Sequence, residues 1–395
     1  MLALLLAPVY LAANIYVLRW AFRFADACFQ KKCTWAKVLF SVLYLLVGLT
    51  PLISFLMPES AGKRSAAQTG NFWMGFFLYL FLTIVLFDLV RVIIKRLPFT
   101  KERIPAGTRI LILAGCAVIL FTSGITLYGT YNARQINVTR YSVEIPSEDM
   151  RGRSIKVGLA TDLHLGYSIG YRQAEKIAEK INEAEPDLVC LAGDIFDNHY
   201  GALDDPEKIR EALSGIRSKY GVYACYGNHD YEEQILAGFT FDSEEHVDIG
   251  DKMRQLLDDA GIRTLEDETV LIDDSFYLSG RKDYSSRKKS GNIRMSPEEL
   301  LSGLDHDKPI IVMDHQPKEL QELSDAGADL DLCGHTHDGQ MFPGNIVTSL
   351  VWENSCGYLK KGDMHNIVTS GAGIFGPYMR VGTKSEIVEI SVNFF

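Results

Sequence analysis

The sequence predicts an α/β domain preceded by four transmembrane helices, and three observations carry that prediction. Long uncharged apolar runs are confined to the first third of the 395 residues. Beyond Arg134, short apolar runs alternate with segments of helical period, as in a sheet crossed by helices. Five of those short runs end in a cluster of Asp, Asn or His. In open α/β sheets, sites collect at the carboxyl ends of strands.

The four runs are Met1–Leu18, Val38–Pro58, Ser65–Phe87 and Ile110–Ala133. Each holds about 20 mostly apolar residues, enough to cross a ~30 Å hydrocarbon layer as helix. The first run lacks the basic residues that open a signal peptide, and Arg19 and Arg23 follow it, so a retained helix is expected. Arg19, Arg23, Lys31, Lys32 and Lys37 flank the first loop, and Lys95, Arg96, Lys101, Arg103 and Arg109 the third; the second has only Lys63 and Arg64. Loops rich in Lys and Arg stay cytoplasmic. Both termini, and the α/β domain with them, are therefore expected outside the cytoplasm of a multi-pass plasma-membrane protein. Trp20 and Trp35 are expected at the inner interface, and Trp73, Tyr128 and Tyr131 at the outer one. Asp88 falls in the third helix, with Arg91 three residues on as its expected partner.

Charge divides the chain at the same place. Residues 1–140 hold 15 Lys and Arg against 4 Asp and Glu, a net of +11, and the remainder holds 25 against 46, a net of −21. So acidic a domain argues against nucleic acid as a partner, which needs clustered Lys and Arg for its phosphates. No protein partner is legible. The seven cysteines form no metal pattern. Cys28 and Cys33 fall in the first loop and Cys116 in a helix, while Cys190, Cys225 and Cys333 close strand-like runs and are expected to be buried free thiols. Repeats and low-complexity tracts are absent. Residues 1–133 are thus read as the membrane region, 134–153 as a linker with Tyr141–Ile145 a candidate first strand, and 154–395 as the soluble domain.

The elements of that domain follow in order. Ser154–Ala160 is a strand running into Thr-Asp-Leu-His. Tyr171–Glu185 is a helix with Ala174, Ile177, Ala178, Ile181 and Ala184 on one face. Asp187–Ala192 is a strand ending in Gly-Asp. Pro206–Lys219 is a helix, with Asp205 as N-cap and Ile209, Leu213 and Ile216 inward. Gly221–Cys225, Pro309–Met313 and Asp329–Cys333 are strands ending in Tyr-Gly-Asn-His-Asp, Asp-His-Gln-Pro and Gly-His-Thr-His.

The converging groups are Asp162 and His164; Asp194 and Asp197; Asn228, His229 and Asp230; His315; and His335 and His337. Carboxylates and imidazoles with one amide and no thiolate suit divalent ions such as Mn, Zn or Fe. The donors are too many for one ion and about right for two. A single His or Gly-Asp at a strand end is most often structural; five such clusters in one order are not. His199, His246, His306 and His365 match no pattern and read as surface or packing residues.

These residues resemble the calcineurin-like metallophosphoesterases, whose pattern is Asp-x-His, Gly-Asp-x-x-Asp, Gly-Asn-His-Asp/Glu, a separate His, then Gly-His-x-His. The chain has Asp162-Leu-His164, Gly193-Asp194-Ile-Phe-Asp197, Gly227-Asn228-His229-Asp230, His315 and Gly334-His335-Thr-His337. Thr-Asp-Leu-His-Leu-Gly, the Gly-Gln and Phe342-Pro343 that follow the last motif, and the tail from Ser370 to Pro377 resemble the bacterial cell-envelope branch, membrane-bound or exported. Asp338 departs from it, since a second Gly is common there.

The resemblance implies an αββα sandwich of two facing sheets, two divalent ions (Mn, Zn or Fe) and hydrolysis of a phosphoester. It implies that Asp162, His164 and His337 hold one ion, that Asn228, His315 and His335 hold the other, and that Asp194 bridges them. His229 stands beside the substrate as acid or charge stabiliser, Asp197 and Asp230 orient ligand histidines from behind, and Arg281 is a candidate phosphate contact. A lipid-linked cell-envelope substrate is expected. The alternatives are a cytoplasm-facing pyrophosphohydrolase of nucleotide-linked lipid precursors, and a transporter or sensor with a non-catalytic domain.

Overall fold

The structure, a computed structural model, describes residues 2–29, 34–96, 108–197, 199–231, 234–236, 239–241, 250–285 and 294–395, with side chains from residue 7 onward except at 95, 234–236 and 239–241. Lys31, Lys32, Cys33, Lys101, Arg103 and His246 lie outside the described residues. The chain divides into two compact units. One comprises Met1–Tyr131 with Ile235–Thr240 and Gly376–Met379, the other Asn132–Gln234, Phe241–Phe375 and Arg380–Phe395.

The first unit holds α1 (Leu2–Phe29), α2 (Thr34–Gly48), α3 (Thr50–Leu56), α4 (Ala61–Arg96) and α5 (Thr108–Asn132). Four spans are expected from sequence, and this is corrected. Among the described residues two helices are long and apolar enough to cross a membrane, Ala61–Ile94 and Thr108–Asn132. A third is added only if α2 and α3, bent by 49°, act as one span. The bend has a local cause: Pro51 lacks the N–H that would reach the Val47 carbonyl, and the Thr50 hydroxyl donates to that carbonyl instead, at 2.6 Å. The first expected run, Met1–Leu18, lies partly outside the described side chains, which begin at residue 7.

Trp20 and Trp73, expected at the two interfaces, pack inside the helical unit. Both are buried in a cluster with Val17, Tyr44, Phe77, Ile84 and Val118, whereas Trp35, Tyr128 and Tyr131 are exposed. Asp88 accepts a 2.7 Å hydrogen bond from the Tyr16 hydroxyl and lies 4.0 Å from Arg91, the local pair that sequence spacing suggests.

The second unit begins with β1 (Ile136–Ile145), β2 (Ser154–Ala160), α6 (Tyr171–Glu183), β3 (Leu188–Ala192), α7 (Pro206–Ser214) and β4 (Val222–Cys225). In chain order a two-stranded sheet follows, β5 (Gln234–Leu236) and β6 (Phe239–Phe241), most of it assigned to the first unit; the second unit continues with α8 (Asp251–Asp259), β7 (Ile262–Thr264), β8 (Glu268–Ile272) and β9 (Phe276–Gly280). The rest is α9 (Pro297–Leu301), β10 (Ile310–Met313), α10 (Leu320–Asp325), β11 (Leu330–Cys333), α11 (Gly344–Val351), β12 (Gly357–Lys361), β13 (Met364–Val368) and β14 (Ser385–Phe394).

Two six-stranded sheets result, ordered β1-β14-β2-β3-β4-β7 and β12-β13-β11-β10-β9-β8. Within them β2, β3, β4 and β7 run parallel, as do β9, β10, β11 and β13. The strands read as continuous apolar runs because both faces are covered. In β10, Ile311 and Met313 join Leu159, Leu188, Cys190, Leu332 and Ile390 in the core between the sheets. Ile310 and Val312, on the other face, pack with Leu300, Leu301, Leu320 and Leu323 of α9 and α10. Behind the first sheet, α6 buries Ala174, Ile177, Ala178 and Ile181, the face its spacing indicates. The expected two facing sheets between helices are thus present. Asp205 caps α7 through the Lys208 amide, but that helix ends at Ser214, short of Lys219. Residues 136–145, placed mostly in a linker from sequence, form a ten-residue strand parallel to β14. The six described cysteines are free thiols, and Cys190, Cys225 and Cys333 are buried.

Candidate metal centre

Five loops carry the site, and the parallel register brings them together. Adjacent β2, β3 and β4 present Asp162 and His164, then Asp194 and Asp197, then Asn228, His229 and Asp230, while adjacent β10 and β11 of the facing sheet present His315, then His335 and His337. Asp162, His164, Asp194, His335 and His337 all have φ between 48° and 72°. Left-handed backbone costs a non-glycine residue of order 1 kcal/mol or more and clusters at functional sites. Glycine serves where nothing else fits: at Gly193 (φ +85°) a Cβ would fall 2.4 Å from the His315 ring, and at Gly227 it would fall 2.2 Å from Asp194 Oδ1.

Two groups of donors form side by side, each with its ligand atoms within 4.8 Å of one another: Asp162, His164 and His337, and Asp194, His315 and His335. In the first, His164 Nε2 lies 3.0 Å from His337 Nε2, and Asp162 Oδ1 lies 3.4 Å from His337 Nε2. In the second, His315 Nε2 is 3.1 Å from Asp194 Oδ2 and 3.2 Å from His335 Nδ1. Asp194 Oδ2 is also 3.7 Å from His164 Nε2, so one carboxylate reaches both groups.

The residues fit a pair of cations. His315 Nδ1 lies 3.0 Å from the Ala192 carbonyl, to which it can only donate. That bond fixes the ring and leaves Nε2, which faces Asp194 and His335, as the nitrogen that could bind a cation. Asn228 Oδ1 is buried and has no hydrogen-bond partner. Burial holds His164, His335 and His337 below the ordinary imidazole range, in the neutral form that binds metal. For His315, burial is outweighed by the charge and hydrogen bond of Asp194, and its pKa is raised. For Asp194, burial is outweighed by His315, His229 and His164, and its pKa is lowered. Asp162 is raised, chiefly by burial.

Around these groups the structure sorts the remaining sequence candidates. His229 donates its backbone N–H to Asp194 Oδ1 at 2.8 Å, and its ring stands 5.3 Å from that of His164. The buried His229 Nδ1 has no hydrogen-bond partner. Asp197 Oδ1 lies 3.9 Å from His164 Nδ1, behind that ring, and burial raises its pKa to about 6. Asp230 does not orient a histidine as expected: it accepts from the Phe196 and Gly227 amides at 2.8 and 2.7 Å and ties two site loops together. Burial raises its pKa to about 8.

Arg281 is not a phosphate contact. Its guanidinium is buried, 2.8 Å from Asp314 and 2.9 Å from Glu319, and Arg294 pairs with the same two carboxylates. His365 packs as sequence suggests, between the Tyr358 hydroxyl and the Glu144 carbonyl. Asp338 is half-buried in left-handed backbone next to His337.

Three further residues at the site have no role assigned from sequence, although Gln340 and Phe375 lie in segments that carry the resemblance. Phe375 lies 4.4 Å from the His229 ring and 5.2 Å from that of His164. The Gln340 amide holds the Phe375 backbone twice, donating to its carbonyl and accepting from its N–H, each at 2.9 Å. Arg380 is buried and donates to the carbonyls of His337, Ser370 and Gly373, and burial lowers its pKa to about 10. A buried Arg spent on carbonyls has no sequence signature, and an aromatic ring is read as core by default.

Residues 155–339 match the sequence profile of the family described as Calcineurin-like phosphoesterase. A "Transmembrane protein with metallophosphoesterase domain" from Danio rerio is 29% identical over 284 residues, covering 69% of this chain and 61% of that protein. An "Uncharacterized metallophosphoesterase" from Helicobacter pylori is 30% identical over 241 residues, 60% of each chain. The "UDP-2,3-diacylglucosamine pyrophosphatase LpxG" of Chlamydia trachomatis is 20% identical over 239 residues, 52% of this chain and 70% of that protein. The chain thus spans about 60% of the length of the first two relatives.

Proposed function

We propose, from the premise that this chain belongs to the calcineurin-like metallophosphoesterase superfamily, that it is a membrane-bound, two-metal phosphohydrolase acting on a phosphomonoester, phosphodiester or pyrophosphate of a lipid-linked cell-envelope substrate. One observation carries the proposal: the Asp194 carboxylate lies within 3.1 Å of His315 Nε2 and 3.7 Å of His164 Nε2, between two groups of donors. Asp162, His164 and His337 would hold one ion, and Asn228, His315 and His335 the other, with Asp194 shared. Divalent ions bound there would lower the pKa of a coordinated water and draw charge from the phosphoryl oxygens.

The chain's own residues supply the rest. His229, held through its backbone N–H by Asp194 and with its Nδ1 unpartnered, would give a proton to the leaving oxygen. Phe375 packs against the His229 ring, tilted by 33° with centroids 4.4 Å apart, and Asp197, 3.9 Å behind His164 Nδ1, would steady the His164 ring. An intact donor set speaks for catalysis and against a sensor or transporter that only binds a ligand. The name of the chlamydial relative supports a second reading, cleavage of a phosphoanhydride in a nucleotide-linked lipid precursor, which would require the unit to face the cytoplasm.

The test uses the full chain in lipid nanodiscs, stripped of metal and then supplied with Mn, Zn or Fe. Hydrolysis of p-nitrophenyl phosphate or its bis ester should appear with metal and vanish with chelator, at about two bound ions per chain. Full activity in protein shown to be metal-free would overturn the reading.

A further inference from the structure

One surface of the phosphoesterase unit remains outside this account. From Gln340 to Trp352 the chain carries no charged residue, and Asp338 and Glu353 bracket the stretch. Its centre is α11, which buries none of its residues. Ile346, Val347, Leu350 and Val351 are 49%, 58%, 82% and 71% exposed. At 100° per residue these four positions fall within a 140° arc, so they form one apolar face. Asn345, Thr348 and Ser349 take the rest of the circumference. Phe342, 50% exposed, precedes the helix and Trp352 ends it. An exposed apolar patch of this kind marks an interaction site.

The patch adjoins the site. The Trp352 ring stands 5.2 Å from that of His335, and Lys318 Nζ lies 5.1 Å from the centre of the Trp352 ring. The turn before α11 is built on the His337–Gly339 loop, where a Cβ on Gly339 would fall 2.2 Å from Gly344.

We propose that α11 is an interfacial helix that seats its apolar face in the surface layer of a lipid bilayer, next to the mouth of the metal centre. Helices that lie in the interface combine an aliphatic face with a polar one and set aromatic and basic side chains at the headgroup level. Here Ile346, Val347, Leu350 and Val351 are the face, Phe342 and Trp352 the aromatic ends, and Lys318 the cation beside them. The chain itself says which surface is available. Two of its helices are long and apolar enough to cross a membrane, and only residues 133–135 separate the second from β1. A bilayer is therefore always within reach of this unit, whereas a protein partner must arrive by diffusion.

The test needs no catalysis, so it stands apart from the proposed activity. The full chain, with its native thiols replaced, receives one cysteine by Leu350→Cys, Val347→Cys, Ser349→Cys or Glu207→Cys. Each is labelled with a nitrobenzoxadiazole probe in nanodiscs of phosphatidylcholine and phosphatidylglycerol, with and without a shallow doxyl-labelled phosphatidylcholine. Probes at Leu350 and Val347 should emit to the blue of the Glu207 probe and lose most of their intensity to the doxyl lipid, the Ser349 probe much less. Leu350 and Val347 probes that behave like the Glu207 probe would overturn the proposal. So would blue-shifted emission that doxyl lipid does not quench, which would mean that protein covers the face.

Discussion

At the scale of single residues, Asp194 and His229 separate two roles that sequence alone assigns by resemblance. Asp194→Asn removes the charge shared by both donor groups, and bound metal and activity should fall together. His229→Ala should lower the rate by ~10²–10⁴ while metal content, read by mass spectrometry, stays near that of the parent. Equal metal loss in the two variants would reassign His229 as a ligand. The site was legible because its donors are chemically conspicuous and sit at strand ends. Arg281 was misread for the opposite reason: its partners Asp314 and Glu319 lie 33 and 38 positions away, and nothing local shows that a cation is spent on them. Arg281→Met should therefore cost about 3 kcal/mol of stability, because it removes one of the two cations that neutralise buried carboxylates. Denaturant-dependent thiol labelling of buried Cys190 and Cys333 would measure that loss. An unchanged stability with a raised KM would restore Arg281 as a substrate contact.

At the scale of elements, the strands that carry the site were readable and the edges of the sheets were not. β2, β3, β4, β10 and β11 lie inside their sheets, covered on both faces, so each is a run of apolar residues whatever its neighbours. β1 is an edge strand, and in it only Val143 and Ile145 are buried. Its polar first half reads as linker because the partner that makes it a strand, β14, is some 249 positions away. Ile145→Ala discriminates the two. In a linker the change would be near neutral, whereas at a buried strand position opposite Phe394 it should cost ~2–5 kcal/mol by the same thiol-labelling assay. In the membrane unit, composition alone gave four runs of sufficient length. Where a run breaks depends on one backbone donor, and the missing N–H of Pro51 splits the second run at a place hydropathy does not register.

At the scale of the whole molecule, the charges around α4 and α5 give an expectation for the side of the membrane on which the second unit lies. Lys95 and Arg96 end α4, Arg109 opens α5, and Lys101 and Arg103 fall in the sequence between them. At the far end of α4 are Lys63 and Arg64, and beyond α5 only Arg134 before β1. The positive-inside rule counts charges close to span ends and gives little weight to the acidic domain behind them. By that rule the α4–α5 loop is expected in the cytoplasm and the end of α5 outside, whether the helices before α4 make one span or two. The unit that follows α5 would then meet lipid-linked polymers or phospholipid headgroups rather than nucleotide-activated precursors. A single cysteine at exposed Glu207, in a background without native thiols, reports the side. Intact cells treated with a membrane-impermeant maleimide should label it before lysis. Labelling only after lysis would place the unit inside and move the precursor pyrophosphohydrolase to first place, because its substrates are cytoplasmic. The sidedness result thus selects the substrate class without a substrate in hand.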